Sequence, residues 1–198
     1  MRTKEAIGFV DEIHAMADRI EEALTYVYNA FIYNQNSPLE AAEKLTAEIR
    51  EKERQLTPEL IELSARDEIA RLYAPIPSHL ERIADNIEHI IRMIRTKNDE
   101  NVLFSDKAVS ELNFLFNRVK EVQSNLSDLI LARNRFLANY IIESEKEIER
   151  AANEFSTLHE ERLIEGICLP KASGIYVMIL DALKRIVWNA KEIARKLV

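Results

Sequence analysis

Glycine is scarce in this chain, with three residues in 198, and proline is hardly commoner at five. Tight turns lean on those two residues, so a chain with so few of them must be built from long elements. Residues that favour strands are thinly spread among Leu, Ile, Ala, Glu, Lys and Arg, which is the composition of helices. The fold class read from this is all-α, with no strand anywhere. One cysteine, Cys168, excludes an internal disulfide. The charged start MRTKEAIGFVDE lacks the apolar segment of a signal peptide, which points to the cytoplasm. No stretch reaches the roughly 18 uninterrupted apolar residues that a spanning helix needs, so contact with a membrane would go through a partner. Basic charge is in the minority, 27 Lys and Arg against 34 Asp and Glu. The net charge of -7 repels a phosphate backbone and argues against nucleic acid. Also missing are a glycine-rich phosphate loop, a serine elbow, a paired-cysteine zinc site and the Glu-x-x-His pair of a di-iron bundle. An enzyme is therefore the lowest-ranked class, and the reading is that this protein is not one.

What is present is helical periodicity, punctuated by proline. Proline fits the first turn of a helix and breaks an interior, so Pro38, Pro58, Pro75, Pro77 and Pro170 read as starts or kinks. The first segment carries Val10, Ile13, Ala17, Ile20, Leu24, Val27 and Phe31 in steps of three and four, the single buried stripe of a bundle helix. A second segment, about 38 to 72, places Leu45, Ile49, Leu56 and Leu63 inward with a kink expected at Thr57-Pro58. A third carries Tyr73, Ile76, Leu80, Ile83, Ile87, Ile90 and Ile94. The polar run TKNDEN, Thr96 to Asn101, has no apolar residue and reads as a linker. Beyond it, Leu112, Leu115, Val119, Val122, Leu126 and Leu129 open a fourth helix. Ile141, Ile148, Phe155 and Leu163 mark a fifth, with the intervening turn placed near Asn134 to Asn139.

The sixth stripe is Tyr176, Ile179, Leu183, Ile186, Ala190, Ile193 and Leu197. Each number exceeds its counterpart in the third helix by 103, beginning with 176 - 73 = 103. Arg82 and Arg185, Asn86 and Asn189, and Glu62 and Glu165 keep the same offset off the stripe, where a shared heptad would not force identity. The chain reads as a duplication: a three-helix unit over 1–97 and another over 102–198, six long antiparallel helices in all.

Two three-helix units, each closing on an L-E-R-I-G-D-H-like helix, resemble the PhoU family of phosphate-transport regulators. The first copy reads LERIADN and the second LKRIVWN. The resemblance runs from Asp11 to Val198 and includes the run EGICLPKASGIYVMILDALKRI. It implies a cytoplasmic homodimer, peripheral to the inner membrane, that regulates phosphate uptake and phosphate-starvation signalling. Its partner would be a phosphate-transporter component or a sensor histidine kinase; an accessory role beside an integral phosphate carrier is equally compatible. It also implies that the E-x-x-x-D motifs of the third and sixth helices hold a divalent or trivalent transition metal, one of Fe, Zn, Mn or Ni.

The residues themselves leave two readings of the third helix. With Leu80 and Ile83 inward, Glu81 and Asp85 fall on the outer side at a spacing of four, where like charges cost about 0.2–0.5 kcal/mol. A bound cation would reverse that cost. Carboxylates beside an imidazole suit a first-row metal, so Glu81, Asp85 and His89 are the metal candidates, with Glu48, Glu62 and Glu88 as further ligands. Alternatively the row is a solvated face, with Glu88 paired to Arg92 and Glu81 hydrated. In the second copy the offset puts Lys184 opposite Glu81, Trp188 opposite Asp85, and Lys191 and Arg195 opposite Glu88 and Arg92. Cations cannot ligate a metal. Lys184, Trp188, Lys191 and Arg195 therefore read as an outer basic row around an aromatic, either a partner surface or packing within the fold. Beside the regulatory adaptor stands a plain structural bundle for oligomerisation.

Overall fold

A computed structural model describes residues 4–198, with side chains from residue 8. The elements are α1 (Lys4–Tyr33), α2 (Ser37–Ser64), α3 (Glu68–Tyr73), α4 (Ile76–Asp99), α5 (Asp106–Ala132), α6 (Arg135–Ile164) and α7 (Pro170–Leu197). Six helices are long, α3 is a short extra one, and no strand occurs among the described residues. Pro38, Pro77 and Pro170 each sit in a first turn, where the missing N–H is not needed. Side chains cap the starts of α3, α5 and α6. Asp67 accepts from the backbone N–H of Ile69 and Ala70 at 2.8 and 3.0 Å, Ser105 from Ala108 at 3.2 Å, and Asn134 from Phe136 at 2.8 Å.

Three sequence expectations change. The second segment is not one helix to residue 72: α2 ends at Ser64, and the Asp67 cap begins α3. Pro58 lies inside α2 without ending it. The turn expected near Asn134 to Asn139 is tighter and earlier, since Arg133 adopts the left-handed conformation (φ 49°) and Asn134 caps the next helix. The run TKNDEN is not a free linker, because α4 continues through Asp99. Lys97 in its middle is only 5% exposed; its Nζ donates to Asn34 Oδ1 and lies 5.6 Å from the Phe104 ring centre. A lysine stem packs as an apolar chain when its ammonium finds acceptors, and burial pushes its pKa down.

The stripes of α4 and α7 are buried throughout, as is Tyr73 at the end of α3. Helices α1, α2 and α4 pack against one another, and so do α5, α6 and α7. The two sets join through α4 on α7 and α1 on α5. The result is two layers: α2, α4, α7 and α6 in a row, with α1 and α5 behind. Buried residues of both sets form one continuous core. Across the join, Phe31 stacks on Phe116 at 5.6 Å and meets Phe104 at 6.2 Å, and Phe104 meets Tyr176 edge-on at 6.2 Å. The Tyr73 hydroxyl donates to the Ile130 carbonyl at 2.5 Å.

Candidate functional site

The outer face of the four-helix row carries the residues that the sequence singles out. On α4, Leu80, Ile83 and Ile87 turn inward and leave Glu81, Asp85, Glu88 and His89 toward α2 or solvent. Helix α2 meets that row with a cation of its own. Arg50 donates from Nε and Nη2 to Asp85 Oδ1 at 3.0 and 2.7 Å, and its Nη1 pairs with Glu88 Oε1. Glu88 also accepts from Thr46 Oγ1 at 3.1 Å and lies 3.8 Å from Arg92, so the expected Glu88–Arg92 pair is present as the weaker of two. Charge-assisted contacts of this geometry are stronger than neutral ones and fix orientation.

Among the described residues, Glu81 has no such cation. Partial burial first, and then the charges of Glu53 and Asp85, push its pKa up, with Arg50 and Arg82 opposing. Glu53 of α2 accepts from Thr57 Oγ1 at 2.9 Å and Ser78 Oγ at 3.1 Å. A carboxyl with a raised pKa favours the folded state below its unfolded pKa, and that contribution is lost as pH rises through the folded value. Glu81→Gln is therefore expected to raise the melting temperature at pH 7, and the gain should shrink to nothing as the buffer is taken below pH 4. A gain that persists in acid would trace the effect to packing instead.

The other metal candidates are dispersed. Glu48 pairs with Arg19 of α1 at 3.0 Å. Glu62 is exposed and lies nine residues beyond Glu53, about 14 Å further along α2. His89 Nδ1 stands 3.4 Å from Arg92. Among the described residues, no three His, Cys, Asp or Glu side chains are grouped as ligands of one ion. A metal at Asp85 and Glu88 would have to displace a guanidinium already engaged by both. The residues present do not fit the metal that the family resemblance implies, and no step is derived through one. Chelator should accordingly leave the melting temperature of the protein unchanged. Arg50→Ala should lower it by the equivalent of about 1 kcal/mol and make it sensitive to added Mn2+; a wild-type melt that falls in EDTA would restore the metal reading.

The basic row of α7 is also redistributed. Lys191 is not outward: it is 8% exposed, and its Nζ donates to Glu145 Oε1 of α6 at 2.5 Å, with Glu145 itself 5% exposed. Where Glu88 of α4 receives a cation from α2, Lys191, 103 positions further on, supplies one to α6. Lys184 donates to Asn153 Oδ1 at 2.9 Å, and Arg195 pairs with Glu192 at 3.0 Å. Trp188 is 44% exposed, 6.5 Å from the His79 ring and 5.7 Å from Lys191 Nζ.

Between the two rows, α4, α6 and α7 border an open groove of about 770 Å3, lined among others by Arg82, Asp85, Arg92, Asp181, Lys184 and Arg185. Sequence reasoning missed this groove and missed Arg50. The available signal was position: Arg50 directly follows Ile49 of the α2 stripe, where a long side chain borders the seam with the next helix.

Residues 13–94 match the family model of the PhoU domain. Among solved structures, PhoU from Pseudomonas aeruginosa has a TM-score of 0.88 at 18% identity, covering 99% of this chain and 97% of that one. The phosphate transport system regulatory protein PhoU from Streptococcus pneumoniae has a TM-score of 0.86 at 15% identity, covering 98% and 93%. No curated protein matches the sequence. The chain therefore carries a PhoU-domain match over residues 13–94, α1 to α4, and shares the fold of these two PhoU structures from end to end.

Proposed function

We propose that this protein is a regulatory adaptor of phosphate uptake and phosphate-starvation signalling, working by binding rather than by catalysis. The observation that carries the reading is the PhoU-domain match over residues 13–94. The whole-chain likeness to a protein described as a phosphate transport system regulator supports it. The partner would be a phosphate-transporter component or a sensor histidine kinase, met in the cytoplasm as a homodimer. No helix among the described residues is long and apolar enough to cross a membrane, which agrees with a peripheral role. The halves 1–97 and 102–198 would act as duplicated units whose shared core holds one face at fixed geometry. Regulation then consists of different affinities for two states of the partner.

Deleting the gene and measuring phosphate uptake and the expression of phosphate-starvation genes tests this. Uptake or expression that no longer follows external phosphate is expected. Unaltered regulation would leave the structural oligomerisation bundle as the better reading.

A further inference from the structure

Helices α4 and α7 run antiparallel: His79 near the start of α4 meets Asn189 in the last third of α7 at 3.0 Å, and Glu100 just past the end of α4 meets Lys171 at the start of α7 at 2.7 Å. Three residues on along α4 and three back along α7, Arg82 is level with Ile186 and so beside its own offset counterpart, Arg185. The duplication thus brings two copies of one exposed arginine to a single groove.

We propose, building on the adaptor reading, that the groove between α4, α6 and α7 is the docking site for an acidic amphipathic helix of a partner protein. Charge selects the occupant. Four cations line the groove, Arg82 and Arg92 from α4 and Lys184 and Arg185 from α7, against two carboxylates. Asp85 is engaged by Arg50 from outside the groove, whereas Asp181 pairs with Arg185 at 2.9 Å and Lys184 at 3.9 Å within it, so the lining side chains keep a net charge of +2 (four cations less two carboxylates). The lining part of α6, Ala152, Asn153 and Ser156, adds no charge. A cationic groove attracts and orients an acidic partner segment, while the net charge of -7 on each chain opposes the approach of a second whole copy.

The apolar component is present as well. Val177 and Met178 line the groove and are exposed, and Trp188 continues the exposed face of α7 about one turn beyond Arg185. From Arg82 to Arg92 the groove runs ten residues of α4, about 15 Å or three helical turns. An apolar foothold at Val177 and Met178 beside like charges spread over that length suits a docked helix that contacts it through residues spaced three and four apart.

The test uses the full chain and two labelled synthetic peptides of equal length, one with Leu on one helical face and Glu on the other, and one with Lys in place of every Glu. Fluorescence anisotropy should show binding of the Glu peptide that weakens as salt is raised, and none of the Lys peptide. The double variant Arg82→Glu, Arg185→Glu should bind the Glu peptide at least about tenfold more weakly at an unchanged melting temperature. Should that variant melt early, Arg92→Ala is the second reading of the same loss. Absence of Glu-peptide binding, equal binding of both peptides, or undiminished binding to the variants would overturn the proposal. Displacement of the peptide by inorganic phosphate, but not by chloride at equal ionic strength, would overturn it in favour of a small-anion site. In deletion cells, full rescue of phosphate regulation by the double variant would reject the groove and keep the adaptor. A deletion without phosphate phenotype would reject the adaptor and leave the peptide result standing.

Discussion

Arg162→Leu should destabilise the protein by about 3–5 kcal/mol, because it strands a carboxylate inside the bundle. Glu111 of α5 is 2% exposed and receives Arg162 of α6 in a two-pronged contact, Nη1 to Oε1 at 3.0 Å and Nη2 to Oε2 at 2.8 Å. The buried Tyr176 hydroxyl donates to the same carboxylate at 2.5 Å, and the Tyr176 ring stacks on His159 at 4.3 Å. Without the guanidinium, the carboxylate keeps one neutral donor, which does not compensate its lost hydration. At the entropy of unfolding typical of a chain this size, the loss corresponds to a melting temperature lower by roughly 6–20 °C. Replacing both partners, Glu111→Met with Arg162→Leu, should recover part of it: exchanging the buried pair for apolar groups of similar volume is close to neutral, but the Tyr176 hydroxyl loses its acceptor at about 1–3 kcal/mol. Equal losses in the single and double variants would show that packing around Tyr176, and not the stranded charge, sets the cost.

The second large effect is expected at Lys191, which sequence pattern places on the outside. Its removal in Lys191→Met leaves Glu145 buried without its cation, again at a cost of about 3–5 kcal/mol. Lys184→Met, about two helix turns away on the outer row, should stay within about 0.5 kcal/mol of wild type. Urea denaturation of the two variants side by side distinguishes the positions, and equal midpoints would return Lys191 to the surface. Glu145→Leu added to Lys191→Met should restore stability.

The reason Lys191 was misplaced is geometric. A stripe at steps of three and four reports where a helix faces one neighbour, and for α4 and α7 that direction was legible in Tyr73 to Ile94 and Tyr176 to Leu197. But α7 packs against α4, α5 and α6 at once, so its buried arc extends past the stripe to Val187, Lys191 and Ala194. Periodicity cannot show how many neighbours a helix has. Charge pattern on α4 was legible to the same limit: Glu81 and Asp85 do lie off the core, but what answers them comes from α2, in Arg50, and no spacing within one helix announces a residue on another. The ends of helices were lost for a different reason. Arg133 takes a left-handed backbone that glycine would have advertised, and Asp67 and Ser105 cap helices from runs that also contain other polar residues. Lys97 hid in TKNDEN because its acceptor, Asn34, and its aromatic cover, Phe104, come from other parts of the chain.

The aromatic bridge of Phe31, Phe104, Phe116 and Tyr176 ties the front of the chain to its back. Such a molecule has no freedom to be halved: a protease cut between Glu100 and Ser105 would leave two fragments clinging together, while either fragment made alone would present these rings to water and aggregate.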